Sequence, residues 1–246
     1  MRKMITSAAL VLLFSMSSAL AQTTPIQDLE YRADPLFENG FVELPKSMVV
    51  EADRQHRIVR YFMDFNCVYC KSLRHVMDTW GSTLIKDYTL VYHHVGAPNS
   101  PFYYLQSQAL TYVMNSEISY GQKQRFIDLM FTHVGEVQNV KQLTRLIKEA
   151  AASVGLKNEP LAEYIMSDEA PANYEAAVNL QRDINIQVTP SILVGGKYLT
   201  HLGLTDGTPE RWIELINKVT SIDIYARANT LKTIPNPTLQ ALPTKD

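Results

Sequence analysis

Cys67 and Cys70 are the only cysteines of the 246-residue chain, and both lie in the stretch FNCVYCKSL. Two thiols at this spacing can form a structural disulfide, supply half of a metal site, or act as a redox pair that alternates between dithiol and disulfide. A disulfide that closes so short a loop restrains the unfolded chain very little, so it would add little stability. A zinc site needs two more ligands, and the chain has no second cysteine pair. These arguments weaken the first two alternatives and favour the redox pair.

The histidines do not complete a cofactor site around the two cysteines. His93 and His94 are adjacent on a predicted strand, so their side chains face opposite sides, and we expect one in the core and one at the surface. Covalent haem attachment requires a histidine directly after the second cysteine, and Lys71 occupies that position. The sequence therefore predicts no metal, and no cofactor beyond a disulfide between the two cysteines.

The N-terminus has the pattern of a secretory signal peptide. Arg2 and Lys3 precede an apolar run over residues 5–16, and small residues end the segment at Ala21. The apolar run is shorter than the ~20 residues that a membrane-spanning helix needs. We therefore expect cleavage after Ala21, removal of residues 1–21 and export to the periplasm, where disulfides form and persist.

The charge of the exported chain gives no sign of a nucleic-acid partner. Cleavage would remove Arg2 and Lys3, which leaves 21 basic residues against 25 acidic ones and a net charge of −4. The sequence has no basic run and no basic stripe with interleaved aromatic residues. Nucleic acid is therefore not an expected partner.

Secondary-structure signals place the cysteines between a strand and a helix. Residues 57–65 (RIVRYFMDF) are rich in β-branched and aromatic residues and predict a buried strand. Apolar residues then recur at helical spacing until Gly81, which predicts a helix. Asn66 is a suitable N-cap and would place Cys67 in the first helical turn. A second core strand over 88–95 completes a predicted β-α-β unit.

The rest of the chain divides into a helical block and a second set of strands. A strand over 189–194, the pair Gly195-Gly196 and a strand over 197–199 predict a tight hairpin. Pro209 is placed to begin the last helix. The helices of the block are predicted over residues 101–115, 120–134, 138–154, 159–167 and 171–184.

The order of these elements resembles the DsbA-like branch of the thioredoxin superfamily. The resemblance rests on the strand-to-CxxC-to-helix junction, on Thr189-Pro190 before a late strand, and on the hairpin that follows. It implies an α/β thioredoxin fold with a helical domain inserted between the β-α-β and β-β-α halves. The implied segments are a signal peptide over 1–21, a leader over 22–38, a thioredoxin-like domain over 39–98 and 186–225, an inserted helical domain over 99–185, and a C-terminal tail over 226–246.

The resemblance also implies roles at the redox pair. Cys67 would be the nucleophile and Cys70 the resolving cysteine. The start of a helix stabilises a thiolate through its unpaired N–H groups and its dipole, which agrees with this assignment. The peptide bond before Pro190 would be cis and lie beside the disulfide. Thr189 would then offer backbone groups to an extended substrate segment.

The dipeptide between the cysteines departs from the DsbA pattern, because Val68-Tyr69 replaces Pro-His. Tyr69 carries no positive charge beside the thiolate, so we expect a milder lowering of the Cys67 pKa and a weaker oxidant. Tyrosine at this position and Thr189 before the proline look more like the isomerases DsbC and DsbG. Those proteins carry an N-terminal dimerisation domain, for which residues 22–36 are too few. The architecture therefore favours an oxidase, while the motif details lean toward an isomerase.

A second departure concerns proton transfer near the pair. Many members of the family have a buried acid six residues before the first cysteine, where this chain has Tyr61. Asp64 lies nearer in sequence and is a possible substitute for proton transfer, or a surface residue. The alternative is a mechanism that relies on the cysteines alone, with water as the proton carrier.

Together these residues predict a periplasmic thiol–disulfide oxidoreductase that donates a Cys67–Cys70 disulfide to exported proteins through a mixed disulfide. The resemblance implies substrates with free thiols and reoxidation by a DsbB-like membrane partner. The alternatives are a DsbC/DsbG-like isomerase or reductase, and a redox-inactive chaperone or scaffold with a thioredoxin fold.

Overall fold

The computed structural model describes residues 40–84, 87–205 and 207–233. Its strands are β1 (Val42–Glu43), β2 (Ile58–Met63), β3 (Thr89–His94), β4 (Ser191–Val194) and β5 (Tyr198–His201). They form one sheet in the order β1-β5-β4-β2-β3. The β2 and β3 strands are parallel, and the other three neighbouring pairs are antiparallel.

The helices follow the predicted order, except that the sequence patterns did not predict the first one. They are α1 (Glu51–Gln55), α2 (Val68–Thr83), α3 (Pro101–Asn115), α4 (Tyr120–His133), α5 (Val140–Ser153), α6 (Asn158–Ile165), α7 (Glu169–Asp183) and α8 (Pro209–Thr233). Short 3-10 turns cover Lys46–Met48, Val134–Glu136 and Leu202–Thr205. The β-α-β unit, the block from α3 to α7 and the β4-β5-α8 unit together form a thioredoxin fold with a helical insertion, as expected.

The central strand β2 determines where the two cysteines lie. Parallel pairing of β2 with β3 requires a crossover connection, and α2 provides it. Along β2 the side chains alternate between two apolar clusters. Val59, Tyr61 and Met63 belong to the larger cluster, and Phe62 belongs to a smaller one on the other face. Because both faces are covered, β2 is a rigid base for the loop that follows it.

The two adjacent histidines on β3 differ from the sequence expectation. Their rings do face opposite sides, because His93 lies against Phe62 and His94 lies against Phe65. Both are nevertheless buried, whereas one was expected at the surface. The reason is that helices cover both faces of the sheet, which a strand pattern alone does not reveal. Burial accordingly lowers the pKa of His93 to about 3.

The inserted helices agree with the sequence prediction, because each boundary of α3 to α7 lies within two residues of the predicted one. The agreement follows from the apolar residues, which recur at helical spacing in these segments. In α5, for example, Leu143, Ile147 and Ala150 are buried on one face. Asn139 caps that helix, since its side chain accepts a hydrogen bond from the backbone N–H of Gln142 at 3.0 Å.

The hairpin between β4 and β5 is confirmed. Gly195 and Gly196 form its turn with φ of +56° and +68°, conformations that glycine adopts without steric cost. The turn also lies against the chain ahead of α1. A Cβ on Gly196 would lie only 2.1 Å from the carbonyl oxygen of Val50.

The last helix is longer than expected, since α8 continues to Thr233 and the predicted tail was to begin at residue 226. A polar cluster at Asp223 and Arg227 holds the helix where the tail was predicted to begin. Arg227 binds Asp223 at 2.7 Å and the Arg54 carbonyl oxygen at 2.6 Å, and the Tyr88 hydroxyl donates to Asp223 at 2.5 Å.

Several predicted segments lie outside the described residues: the signal peptide over 1–21, the leader over 22–38 and the tail beyond residue 233. Among the helices that the structure does describe, none combines the length and the apolar character needed to cross a membrane.

Candidate active site

Cys67 is itself the N-cap of α2. Its sulfur accepts a hydrogen bond from the backbone N–H of Cys70 at 3.3 Å. Asn66 was the expected cap, but its backbone N–H and its side-chain amide both donate to Asp64 Oδ1, at 2.8 and 3.2 Å. Because these two hydrogen bonds hold Asn66 to Asp64, the N-cap is the next residue, Cys67. The sulfur of Cys67 therefore occupies the site where a helix start binds an anion.

The pKa values of the two thiols are shifted in opposite directions. A side-chain hydrogen bond from the Cys70 thiol is the largest of the causes that lower the pKa of Cys67 to about 6. Partial burial opposes it, and contacts with Thr189 and with the backbone at the start of α2, the Cys70 N–H among them, lower the pKa further. Cys70 is fully buried, and burial is the largest cause that raises its pKa. At neutral pH the half-buried Cys67 is therefore mainly a thiolate, while Cys70 remains protonated.

Thr189 and Pro190 lie beside the pair although more than 120 residues separate them from it in sequence. The Thr189–Pro190 peptide bond is cis, the conformation that the resemblance implies. Antiparallel pairing of β4 with β2, in which Ser191 lies opposite Phe62, brings the proline to the cysteines. The thiol of Cys67 lies 3.3 Å from the carbonyl oxygen of Thr189, so this backbone group faces the reactive sulfur.

Asp64 shapes the loop that carries Cys67. Besides its two contacts with Asn66, its carboxylate accepts a hydrogen bond from the Tyr103 hydroxyl at 3.4 Å and lies 3.8 Å from His94 Nε2. Its backbone, and not its carboxylate, makes the hydrogen bond that acts on the pKa of Cys70. These contacts give the carboxylate a positioning role, and they leave the predicted proton-transfer role a hypothesis.

Sequence reasoning missed the residues that support this loop from the helical insertion. Tyr103 reaches Asp64 from the first turn of α3. Gln106, one turn further along, contacts His94 Nε2 at 3.1 Å, and the same nitrogen accepts from the Phe65 backbone N–H at 3.4 Å. In the sequence, the only sign of these contacts is that Gln106 interrupts an apolar face of α3, and this does not identify His94 as its partner.

The surface around Cys67 is apolar and exposed. Val68 and Tyr69, in the first turn of α2, are 76% and 63% exposed. Val188, just ahead of Thr189, is also exposed. Large apolar side chains seldom face solvent together unless they serve an interaction. This rim is therefore suited to contact an unfolded or extended chain.

Tyr61 is buried in the same apolar cluster as Cys70. It occupies the position where the resemblance implies a buried acid. The structure shows a buried side chain whose pKa is raised, first by burial and next by Cys70. The phenol is therefore neutral, and its only titratable proton stays on oxygen at physiological pH.

No protein-family model matches the chain, and no curated protein matches it in sequence. Solved structures do match. DsbA of Pseudomonas aeruginosa aligns with a TM-score of 0.63 and 17% identity over 77% of this chain and 94% of that chain. The oxidoreductase DsbA of Neisseria meningitidis aligns with a TM-score of 0.61 and 15% identity over 77% and 94%. SrgA of Salmonella enterica serovar Typhimurium aligns with a TM-score of 0.57 and 16% identity over 73% and 98%.

These likenesses establish the fold. The chain has a DsbA-like thioredoxin fold that includes the inserted helices, because nearly the whole of each solved chain is matched.

Proposed function

We propose that this chain is a thiol–disulfide oxidoreductase that donates a Cys67–Cys70 disulfide to exported proteins. The observation that carries the proposal is the asymmetry of the pair: a half-buried thiol with a pKa of about 6 and a fully buried thiol with a raised pKa. A structural disulfide needs no such asymmetry. A redox pair does, because one sulfur must be reachable and must leave readily as a thiolate.

The reaction begins with the oxidised pair. A substrate thiolate attacks Cys67 Sγ, the Cys67–Cys70 bond breaks, and its electron pair goes to Cys70 Sγ. The mixed disulfide between the substrate and Cys67 is then attacked at the substrate sulfur by a second substrate thiolate. Cys67 leaves as a thiolate, the substrate carries the new disulfide, and both cysteines of the protein are reduced.

Substrate binding is assigned to the apolar rim and the neighbouring backbone. Val68, Tyr69 and Val188 supply exposed apolar surface around the attacked sulfur. The backbone of Thr189, whose carbonyl faces Cys67, can pair with an extended segment as an added strand does. Such hydrogen bonds form with the substrate backbone and not with its side chains, so substrates of varied sequence can bind.

The direction of the reaction is proposed to be oxidation, with a milder oxidant than DsbA. A Cys67 pKa of about 6 lies between the values of about 3.5 for DsbA and about 7 for thioredoxin. The absence of a positive charge at Tyr69 supports the same ranking. In the periplasm a DsbB-like membrane oxidase would restore the disulfide. The second candidate is disulfide isomerisation, which Tyr69 and Thr189 favour.

Two parallel assays separate these activities. The oxidised protein is mixed with a reduced client that forms one native disulfide, and the reduced protein is mixed with the same amount of a client with scrambled disulfides. We expect rapid stoichiometric oxidation in the first assay and slow recovery of native client in the second. Fast recovery of the scrambled client together with poor oxidation would instead establish the isomerase. Failure of both would establish a redox-inactive scaffold.

A further inference from the structure

Tyr61 is buried at the centre of the sheet, in the same core cluster as Cys70. It lies in the middle of β2, opposite Ile192 of β4 and Tyr92 of β3. Its ring contacts that of Tyr92 edge-on at 5.7 Å between centroids and that of Trp212 at 6.4 Å. The side chain is almost completely buried. The hydroxyl is buried with the ring, and Cys70 belongs to the same core cluster and is the side chain with the strongest electrostatic effect on it.

The hydroxyl has no hydrogen bond of regular geometry while both cysteines are thiols. Leaving a buried donor unpaired costs free energy, and most native structures avoid it. Among the ionisable side chains, Cys70 raises the pKa of Tyr61 the most. A buried O–H beside a buried sulfur becomes a strong partner when that sulfur acquires negative charge.

The two sulfurs differ in how their negative charge is stabilised. Cys67 has the Cys70 N–H at 3.3 Å and the contacts of Thr189. Cys70 is removed from solvent, and burial is the main reason that its thiolate is disfavoured. Yet the electron pair of the broken disulfide must pass to Cys70 whenever a thiol attacks Cys67. A hydrogen-bond donor at Cys70 Sγ would lower the barrier to breaking the Cys67–Cys70 bond, and equally the barrier to forming it again.

We propose that Tyr61 donates a hydrogen bond to Cys70 Sγ when the mixed disulfide forms, and again when Cys70 attacks it. This inference rests on the proposed function and names a further residue of the same site. In the forward step the bond between the attacking sulfur and Cys67 forms, the Cys67–Cys70 bond breaks, and the charge appears on Cys70. Tyr61 keeps its own proton, and Cys70 is subsequently protonated from water.

The test uses Tyr61→Phe, which removes one oxygen and keeps the ring against Tyr92 and Trp212. Reduced glutathione serves as the probe, and the rate of mixed-disulfide formation by the oxidised protein is followed in a single turnover. We expect the rate to fall about tenfold or more, since a hydrogen bond to a charged group is lost. Alkylation of Cys67 by iodoacetamide should still rise with pH through a midpoint near 6, as in the wild type.

Tyr92→Phe is the matched control. It removes the neighbouring hydroxyl, which accepts a hydrogen bond from Gln124 Nε2 at 3.2 Å. For Tyr92→Phe we expect the rate of mixed-disulfide formation with glutathione and the rate of Cys67 alkylation to equal those of the wild type. The melting temperature should fall slightly. Equal glutathione rates for Tyr61→Phe and the wild type would overturn the role of Tyr61 and leave the proposed function intact. A wild-type protein that forms no mixed disulfide would overturn both. If Tyr61 had only a structural role, Tyr61→Phe would change the melting temperature but not the rate of mixed-disulfide formation relative to the rate of Cys67 alkylation. That result would also overturn the proposed role.

Discussion

Replacing Cys67 with serine is expected to abolish disulfide transfer, with a loss on the order of a thousandfold or more, because no other group on the chain can take its place. The half-buried sulfur of Cys67 carries the thiolate at neutral pH, and Cys70 is fully buried and protonated. A serine hydroxyl in the N-cap position preserves the cap of α2. The fold should therefore remain while the rate of client oxidation is lost.

Replacing Cys70 with serine should give a different result. The thiolate of Cys67 still attacks a client that carries a disulfide, and one client sulfur leaves as a thiolate. Because the Cys70 thiol is missing, nothing on the protein breaks the new bond, so mixed disulfides with such clients accumulate. Non-reducing gels and mass spectrometry of the purified variant would reveal them. A Cys70→Ser protein that traps no client, beside a Cys67→Ser protein of normal activity, would remove the redox interpretation and leave a scaffold.

Removing the carboxylate of Asp53 is expected to cost about 3–5 kcal/mol of unfolding free energy, the largest stability effect that we predict. Asp53, on α1, accepts two hydrogen bonds from Arg60 of β2, at 2.8 and 2.5 Å. The side chains are 1% and 17% exposed, respectively. In Asp53→Ala the guanidinium would stay in a poorly solvated site without its partner. Urea unfolding of the oxidised protein measures the loss.

Glu51→Ala is the matched control for this prediction. Glu51 lies on the same short helix and pairs with Arg54 at 3.4 Å, but these side chains are 60% and 40% exposed. Exposed pairs contribute about 0–1 kcal/mol, so we expect a change at the low end of that range. If Asp53→Ala and Glu51→Ala destabilise the protein equally, burial of the Asp53–Arg60 pair does not govern its contribution.

Sequence patterns predicted the elements that follow a clear periodicity or a turn signal. The helices of the insertion were placed within two residues because apolar residues recur at helical spacing in each. Gly195-Gly196 marked the hairpin because few other residues adopt positive φ. The pairing of Pro190 with the cysteines could be predicted only by resemblance, since nothing local links positions so far apart.

Other features depend on contacts that a sequence pattern does not contain. The five-residue helix α1 is too short for a periodic signal, and its buried residue is the charged Asp53. The cap of α2 moved from Asn66 to Cys67 because Asp64 holds the asparagine. The contacts of Arg227 with Asp223 and the Arg54 carbonyl hold α8 where the tail was predicted to begin. In each case a tertiary partner overrides the local preference.

The reduction potential of the Cys67–Cys70 pair, measured in a glutathione redox buffer, tests the central claim most directly. We expect a value between about −270 mV, typical of thioredoxin, and about −120 mV, typical of DsbA. Tyr69→His, at an exposed position, should shift the potential to a less negative value, because a positive charge would stabilise the Cys67 thiolate. A potential below about −300 mV would contradict the account, because structural disulfides lie in that range and do not pass to other proteins.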